Sequence, residues 1–323
     1  MIYQLSWFSL YAFVPALSGM LFSFFLTIIL MKVLADRLPH DQGRAFAVEG
    51  TLSKGKVRGC GVIFIPVFVF TVLLYDHIST QKIIYLVVIT ASMITGYLDD
   101  RSERPWSEYL KGALDLGLGA IVAVTYLYYN GNTFMIAYPW NWSVTVPYGL
   151  AAILIIALVW VSINVTNCTD GVDGLSATLT IITLGAFMMC IEQSQGTEDT
   201  LFILYFITVL VAYLWFNANP SSMLMGDAGS RAMGMMIAIV ALLSGYVLLY
   251  IPFAIVMILD GGLGLLKVAL LRFLKIRILS NVRCPLHDQA RKVSEWSNTQ
   301  VVFRFAIIQI MVVAPIIWLF KMN

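Results

Sequence analysis

Long stretches without a single charged residue recur along this chain. Residues 1–31, 116–169 and 232–259 contain no Asp, Glu, Lys or Arg, and about 20 apolar residues suffice for a helix to span a bilayer. Charged residues make up only 12% of the sequence, roughly half of their usual share in soluble proteins. The pattern predicts an all-α, polytopic integral membrane protein that forms a single transmembrane domain over residues 1–323.

The apolar runs predict about ten transmembrane helices. Their bounds are Ala12–Leu34, Gly59–Tyr75, Ile83–Leu98, Leu110–Tyr129, Tyr148–Ile163, Gly174–Ile191, Leu201–Phe216, Ala232–Tyr250, Pro252–Leu271 and Val301–Phe320. The eighth and ninth share one charge-free stretch, which we divide near Ile251-Pro252 because a single helix of that length would overshoot the bilayer. The first run lacks a basic start and is too long for a cleaved signal peptide, so we expect it to be retained.

Lysines and arginines concentrate in alternate connections between the predicted helices. Taken together, the connections 35–58, 99–109, 164–173, 217–231 and 272–300 hold most of the Lys and Arg, whereas residues 130–147 carry none. Because cytoplasmic loops are enriched in cations, we expect these connections in the cytoplasm and both termini on the extracellular or periplasmic side. A basic face would attract anionic lipid or a multiply anionic substrate, although topology alone also accounts for its cations.

One cluster of polar residues interrupts the apolar sequence at Asn164–Leu175, which reads Asn-Val-Thr-Asn-Cys-Thr-Asp-Gly-Val-Asp-Gly-Leu. Asp170 and Asp173 are the first charges after Asp115, and the next is Glu192. Polar groups at the edge of hydrocarbon are costly, so such a cluster indicates a functional site. An interfacial turn, whose Asp and Asn side chains bond their own backbone, is the alternative. These residues alone leave both open.

Two further acidic motifs lie on the same predicted face. Asp99 and Asp100 end the third span, and Asp227 stands in Met-Gly-Asp-Ala-Gly-Ser at the entry to the eighth. Mg²⁺ is usually held by one or two carboxylates together with substrate phosphates, and a helix start offers N–H groups to a phosphate. The alternatives are solvated charges that close a helix and, for Asp227 or Ser230, an N-cap.

The remaining candidates are cations, a histidine and a buried acid. Glycines and cations in residues 51–61, including Lys54 and Arg58, suit a phosphate. Asp260, within the ninth span, is predicted to pair with Lys267 inside the bundle. His287, in the last large connection, is either solvated or functional.

The four cysteines stand in or beside apolar runs and lack CxxC spacing; they are Cys60, Cys168, Cys190 and Cys284. We predict small buried residues rather than disulfides or metal ligands.

Taken together, the motifs resemble those of the polyprenyl-phosphate N-acetylhexosamine-1-phosphate transferase superfamily, glycosyltransferase family 4. The resemblance rests on Asp99-Asp100, Asn164-x-x-Asn-x-x-Asp-Gly-x-Asp-Gly-Leu175 and Gly226-Asp-Ala-Gly-Ser230, in that order, and covers nearly the whole chain. Within it, the runs at 54–61, 215–220, 285–287 and 301–305 are most similar to the phospho-N-acetylmuramoyl-pentapeptide transferases. The chain departs from their pattern at 57–61, where they usually have Pro-Thr-Met-Gly-Gly, at 287–289, where three histidines are usual, and at Leu224, where Phe is usual.

The resemblance implies transfer of phospho-MurNAc-pentapeptide from UDP-MurNAc-pentapeptide to undecaprenyl phosphate. The products would be lipid I and UMP, in peptidoglycan synthesis, with Mg²⁺ as cofactor. It further implies a multi-pass protein of the bacterial inner (cytoplasmic) membrane with its active site facing the cytoplasm. The lipid bilayer is then the medium of the protein, no nucleic acid is a partner, and a homodimer is possible.

The resemblance also implies roles for individual residues. Asp227 would hold the metal with Asp100 as a second ligand, and Asp99 would orient or deprotonate the lipid phosphate. His287 completes the set of catalytic candidates. The expected substrate-binding residues are Lys54, Asn164, Asn167, Asp170, Asp173 and Asn217.

Two other functions are compatible with parts of this pattern. A sister transferase would load GlcNAc-1-phosphate from UDP-GlcNAc on the same lipid. A membrane transporter is possible on the number of spans alone, but transporters place polar residues near the bilayer midplane. Here the polar motifs gather at one face, with Asp260 and Lys267 as the main exceptions.

Overall fold

The computed structural model describes residues 13–41, 43, 53–102, 106–136, 142–195 and 199–322. Its long helices are α1 Phe13–Leu34, α2 Gly61–Tyr75, α3 Thr80–Arg101, α4 Glu108–Asn130, α5 Tyr148–Thr169, α6 Leu175–Gln195, α7 Thr200–Asn217 and α8 Gly226–Leu243. A bent pair follows, α9 Val247–Phe253 and α10 Ile255–Leu274. The short α11 Leu286–Lys292 and the long α12 Asn298–Lys321 follow.

The distribution of side chains on α1 shows why this bundle belongs in a membrane. The residues that α1 buries are mostly small or polar, namely Pro15, Gly19, Ser23, Thr27 and Met31. Its outward face carries Leu17, Leu21, Phe25, Ile29 and Val33, which are all exposed. Small residues at helix contacts and large apolar ones outside are typical of helices that pack within lipid.

Eight of the described helices are long and apolar enough to cross a membrane, and the α9–α10 pair, bent by 67°, would make nine. Helix α2 is apolar but has only 15 residues. The prediction of a polytopic helical membrane protein is confirmed. The count of ten spans and the placement of both termini outside stay predictions, and Ala12, where the first predicted span begins, lies outside the described residues.

The predicted bounds of the eighth and ninth spans are wrong. Helix α8 begins at Gly226 rather than Ala232 and ends at Leu243 rather than Tyr250. The chain turns at Gly245, whose φ of 73° is left-handed, a conformation that favours glycine and often terminates helices. The second break comes at Ala254, where α9 bends into α10. Asp227 therefore lies in the first helical turn of α8, not in a loop.

Helix α8 is the centre of the bundle and packs against α2, α3, α5 and α6. Nearly all of its residues are buried, and its neighbours approach it at glycines. A Cβ at Gly96 of α3 would lie 2.3 Å from the carbonyl oxygen of Asp227, and a Cβ at Gly234 would lie 2.5 Å from the Cα of Ile163. At this second crossing the Ser162 hydroxyl donates to the Gly234 carbonyl at 2.7 Å. Such contacts hold the start of α8 in a fixed position.

The part of the chain that the structure describes contains two small sheets besides the helices, which the all-α prediction did not include. Strands β1 Val57–Arg58 and β4 Met223–Leu224 pair in parallel, with Arg58 opposite Leu224. This pairing fastens the segment after residue 53 to the residues that lead into α8. Strands β2 Thr133–Ile136 and β3 Trp142–Thr145 form an antiparallel pair elsewhere in the molecule.

Candidate active site

Three carboxylates meet where the end of α3 crosses the start of α8. Asp99 and Asp100 belong to the last turn of α3, and Asp227 to the first turn of α8. Asp100 Oδ2 accepts a hydrogen bond from the Ala228 N–H at 3.2 Å. Gly226 lies so close, at a φ of 65°, that a Cβ there would be 2.2 Å from the same Asp100 oxygen. The backbone thus brings together the three acids that the sequence placed on two separate motifs.

Two cations neutralise most of the charge in this acidic cluster, which consists of Asp99, Asp100 and Asp227. Lys111 Nζ lies 2.6 Å from Asp99 Oδ2 and 3.8 Å from Asp227 Oδ2. Arg58 Nη2 lies 2.8 Å from Asp100 Oδ1 and 3.7 Å from Asp227 Oδ1. Burial of the guanidinium opposes its charge, but the neighbouring carboxylates, Asp100 foremost, outweigh burial and raise the pKa of Arg58. Opposite charges close to one another favour the ionised forms.

The cluster has the donor chemistry that a magnesium ion requires. Asp100 Oδ1 is buried and makes no hydrogen bond with the described residues, while the Asp227 side chain keeps 15% of its surface exposed. The described residues contain no group of three or more His, Cys, Asp or Glu side chains that could hold a metal. Magnesium, however, is usually held by one or two carboxylates, with water and substrate phosphate as the other ligands. Asp100 and Asp227 fit that requirement.

The polar Asn164–Leu175 motif spans the end of α5, a turn, and the start of α6. Asp173 Oδ2 accepts from Lys56 Nζ and from the Ser221 N–H, each at 3.1 Å. Asp170 ends α5 and is partly exposed, and its carboxylate is close enough to contribute to the raised pKa of Arg58. The motif therefore adjoins the acidic cluster.

The three asparagines expected to bind substrate use their amides inside the protein. Asn164 Nδ2 donates to the Trp160 carbonyl at 2.8 Å, and Asn167 Nδ2 donates to the Ser230 hydroxyl at 2.9 Å. The buried Asn217 accepts from the Gly174 N–H and donates to the Met223 carbonyl, both at 2.8 Å. These bonds connect the motif to α8 and to the segment before it. Their roles toward substrate stay predictions.

His287 approaches the same motif from α11. The backbone N–H of His287 donates to Asp260 Oδ1 at 2.7 Å, and the ring Nδ1 lies 2.9 Å from Asp260 Oδ2. A carboxylate that accepts from Nδ1 fixes the orientation of the ring, and the His287 side chain is only 3% exposed. A Cβ at Gly171 would lie 2.2 Å from Nε2, so this nitrogen faces the motif.

The predicted pairing of Asp260 with Lys267 is wrong. Lys267 Nζ donates instead to the carbonyls of Leu279 and Val282, both at 2.9 Å. Asp260 lies in a π-helical turn, Ile258–Gly262, and single π turns within helices occur often at functional sites.

The cysteines and Lys54 contribute less than the other candidates. All four cysteines are free thiols, of which Cys60 and Cys190 are buried and Cys168 and Cys284 partly exposed. The prediction of small buried residues without disulfides therefore holds in full for Cys60 and Cys190. Lys54 is exposed, and the loop lysine that reaches Asp173 is Lys56.

Comparison with known proteins places this arrangement in a family. A model described as glycosyl transferase family 4 matches residues 82–245. A phospho-N-acetylmuramoyl-pentapeptide-transferase of Treponema pallidum (strain Nichols) is 39% identical, over 88% of this chain and 84% of the relative. The chain belongs to glycosyl transferase family 4. Two proteins of the same name extend the similarity. That of Borrelia hermsii is 27% identical over 93% of this chain and 90% of its own, and that of Brachyspira hyodysenteriae is 26% identical over 77% of each. The resemblance stated from the motifs is confirmed.

The family match covers only part of the site, and Lys111 is a site residue that the sequence reasoning did not name. Residues 82–245 include the acidic cluster and Lys111 but neither Arg58 nor the Asp260–His287 pair. The position of Lys111 near Asp99 is predictable from the sequence, because a short connection between antiparallel helices places the first turns of α4 beside the last turn of α3. The contacts of Asp260 carried none, because they depend on how the chain after α10 folds back.

Proposed function

We propose that this chain transfers phospho-MurNAc-pentapeptide from UDP-MurNAc-pentapeptide to undecaprenyl phosphate, giving lipid I and UMP. An oxygen of the lipid phosphate attacks the sugar-bearing phosphorus of the donor, and the bond from that phosphorus to UMP breaks. The names of the relatives, phospho-N-acetylmuramoyl-pentapeptide-transferases, support this reaction. The observation that carries it is the acidic cluster with two cations, beside a polar motif at one end of a membrane bundle.

Catalysis of phosphoryl transfer consists mainly of positioning and charge neutralisation. Asp227 and Asp100 would hold Mg²⁺, which when bound would neutralise charge on the diphosphate and on the leaving UMP. Lys111, at 2.6 Å from Asp99, holds that carboxylate at the entry of the lipid phosphate. Asp99 orients the acceptor or takes its proton, and Lys111 offsets the repulsion between the two anions.

The donor side of the site is formed by the Asn164–Leu175 motif and α11. Asp170 and Asp173 bind the nucleotide or the sugar, with Asp173 held in place by Lys56 and the Ser221 N–H. His287, oriented by Asp260, directs Nε2 toward the motif turn and contacts the donor phosphates or sugar. Orientation of a histidine by a buried carboxylate fixes both its tautomer and its position.

We further propose that the end of the bundle with the site faces the cytoplasm of a bacterium, in the inner membrane. The cations of the alternate connections, which concentrate in 35–58, 99–109 and 272–300, support this orientation. The cytoplasmic side is also where a charged, membrane-impermeant nucleotide donor would be available.

UMP release by the purified full-length protein in vesicles with undecaprenyl phosphate, UDP-MurNAc-pentapeptide and Mg²⁺ tests the proposal. Asp227→Asn should lower the rate about 1,000-fold, since it removes a charge that acts where the phosphates react. Glu192→Gln, an exposed carboxylate on α6, is the matched control and should retain the wild-type rate. Wild-type protein that releases no UMP, or an Asp227→Asn variant as fast as the control, would contradict the proposed chemistry.

A further inference from the structure

An arginine occupies part of the acidic cluster where the proposed metal would bind. Arg58 lies within 57–61, one of the segments where the chain departs from the pattern of the enzymes it resembles. Its Nη2 is 2.8 Å from Asp100 Oδ1 and 3.7 Å from Asp227 Oδ1. The Asp100 side chain is completely buried, whereas that of Arg58 is 22% exposed. The guanidinium is therefore in contact with the two expected metal ligands and also open to a bound ligand.

Arg58 also contacts a carboxylate outside the acidic cluster, that of Asp41. Arg58 Nη1 lies 3.4 Å from Asp41 Oδ1, and Asp41 Oδ2 accepts from the Ser53 hydroxyl at 2.5 Å. The backbone adds two bonds, because the Asp41 N–H donates to the Lys56 carbonyl at 2.8 Å and the Arg58 N–H to the Pro39 carbonyl at 2.8 Å. A second carboxylate at Asp41 can retain the guanidinium when its partners at Asp100 and Asp227 change.

A divalent ion and Arg58 need the same oxygens. A metal held by Asp100 and Asp227 would take the carboxylate oxygens that now face the guanidinium, and two cations cannot share them at close range without repulsion. Asp100 Oδ1 makes no hydrogen bond with the described residues in spite of its 2.8 Å contact with Arg58. The exchange of arginine for metal at this atom therefore breaks the ion pair with Arg58 but no well-aligned hydrogen bond, and the metal replaces the lost positive charge.

We propose that Arg58 is a resident counter-cation of the acidic cluster, which competes with the divalent metal and, once displaced, binds the diphosphate of the donor. Its planar fork of donors matches phosphate oxygens, which a lysine ammonium does only as a point charge. The inference rests on the proposed function, because it assumes a metal at Asp227 and a diphosphate beside it.

Two binding measurements on the full-length protein in detergent test the inference without turnover. Mn²⁺ binding is titrated by electron paramagnetic resonance without nucleotide, and UDP binding by calorimetry at saturating Mg²⁺. In Arg58→Met, Mn²⁺ should bind about tenfold more tightly and UDP about tenfold more weakly, a change of one decade in opposite directions. Arg58→Lys keeps the charge, so its Mn²⁺ affinity should stay near that of the wild type while UDP still binds more weakly.

Arg101→Met is the matched control, because Arg101 is an exposed cation next to Asp100 in sequence. It should leave both affinities unchanged; an equal effect there would assign the result to general charge and overturn the inference. Unchanged Mn²⁺ and UDP affinities in Arg58→Met, with normal binding by the wild type, would also overturn it. Wild-type protein that binds no Mn²⁺ would instead remove the metal site of the proposed function, and the inference with it. If Arg58→Met does not fold, the measurement on Arg58→Lys tests the inference. A UDP affinity of Arg58→Lys equal to that of the wild type would then overturn it.

Discussion

A buried ion pair one helical turn below the acidic cluster provides a stability test of this packing. Asp115 follows Lys111 by four residues on α4, and Arg231 follows Asp227 by four on α8. The ion pair Asp115–Arg231 therefore lies one helical turn from the contact between Lys111 and Asp227, between the same two helices. Arg231 Nη2 lies 2.5 Å from Asp115 Oδ1, with side chains only 5% and 1% exposed. Asn164 Nδ2 also approaches Asp115 Oδ2, at 3.4 Å.

Removal of one partner should cost much more than removal of both. Arg231→Met leaves the Asp115 carboxylate buried and unpaired, which typically costs about 3–5 kcal/mol, whereas a neutral pair of similar volume is often as stable as the ion pair. The structure favours the upper part of that range, since both side chains are almost completely buried. Asp115→Asn combined with Arg231→Met should therefore recover most of the loss, because the amide oxygen introduced by the first substitution could still accept from Asn164.

The free energy of unfolding, measured by titration with sodium dodecyl sulfate in mixed micelles, gives the cycle of wild type, single and double variants. A single variant as stable as the wild type would show that Asp115 and Arg231 are hydrated and that this packing is misjudged. A double variant that loses as much as the sum of the single losses would refute the coupling between the two residues.

Two further substitutions test the geometry of the site. Gly171→Ala should lower the rate of UMP release at least tenfold (about one decade), because the new Cβ would lie 2.2 Å from the anchored His287 ring. Gly185→Ala is the control, because a Cβ there has nothing within 4 Å, and it should be as active as the wild type. Equal rates for the two variants would show that the His287 ring does not lie against Gly171. Lys111→Met should lower the rate about 100-fold, in line with the loss of one charge-stabilising group, with the affinity for UMP unchanged, and a loss of UMP affinity instead would move Lys111 to the donor side.

The sequence was sufficient to predict the class of fold and the main motifs. Charge-free runs identify membrane helices, and the alternation of cations along the chain places Asp99, Asp173 and Asp227 at one face. In the structure, close contacts at Gly96 and Gly226 bring the end of α3 and the start of α8 together. Such signals are strong because the bilayer leaves few places for polar residues.

Pairings between side chains could not be read in the same way. The spacing of Asp260 and Lys267 suggests a common helix face, but the π turn at Ile258–Gly262 adds a residue per turn and rotates the helix that follows. The partner of Asp260, His287, comes from a later segment that folds back. The predicted end of α8 is wrong for a different reason: the chain turns at Gly245, whose φ is 73°, before it reaches Pro252.

The identity of the lipid product tests the central claim most directly. Purified protein in vesicles with undecaprenyl phosphate and Mg²⁺ is given UDP-MurNAc-pentapeptide and UDP-GlcNAc together, and the lipid fraction is analysed by mass spectrometry. We expect undecaprenyl-diphospho-MurNAc-pentapeptide, formed in equal amount with UMP and about 1,000-fold more slowly with Asp227→Asn. A lipid that carries GlcNAc alone, or UMP release without a new lipid, would contradict the account.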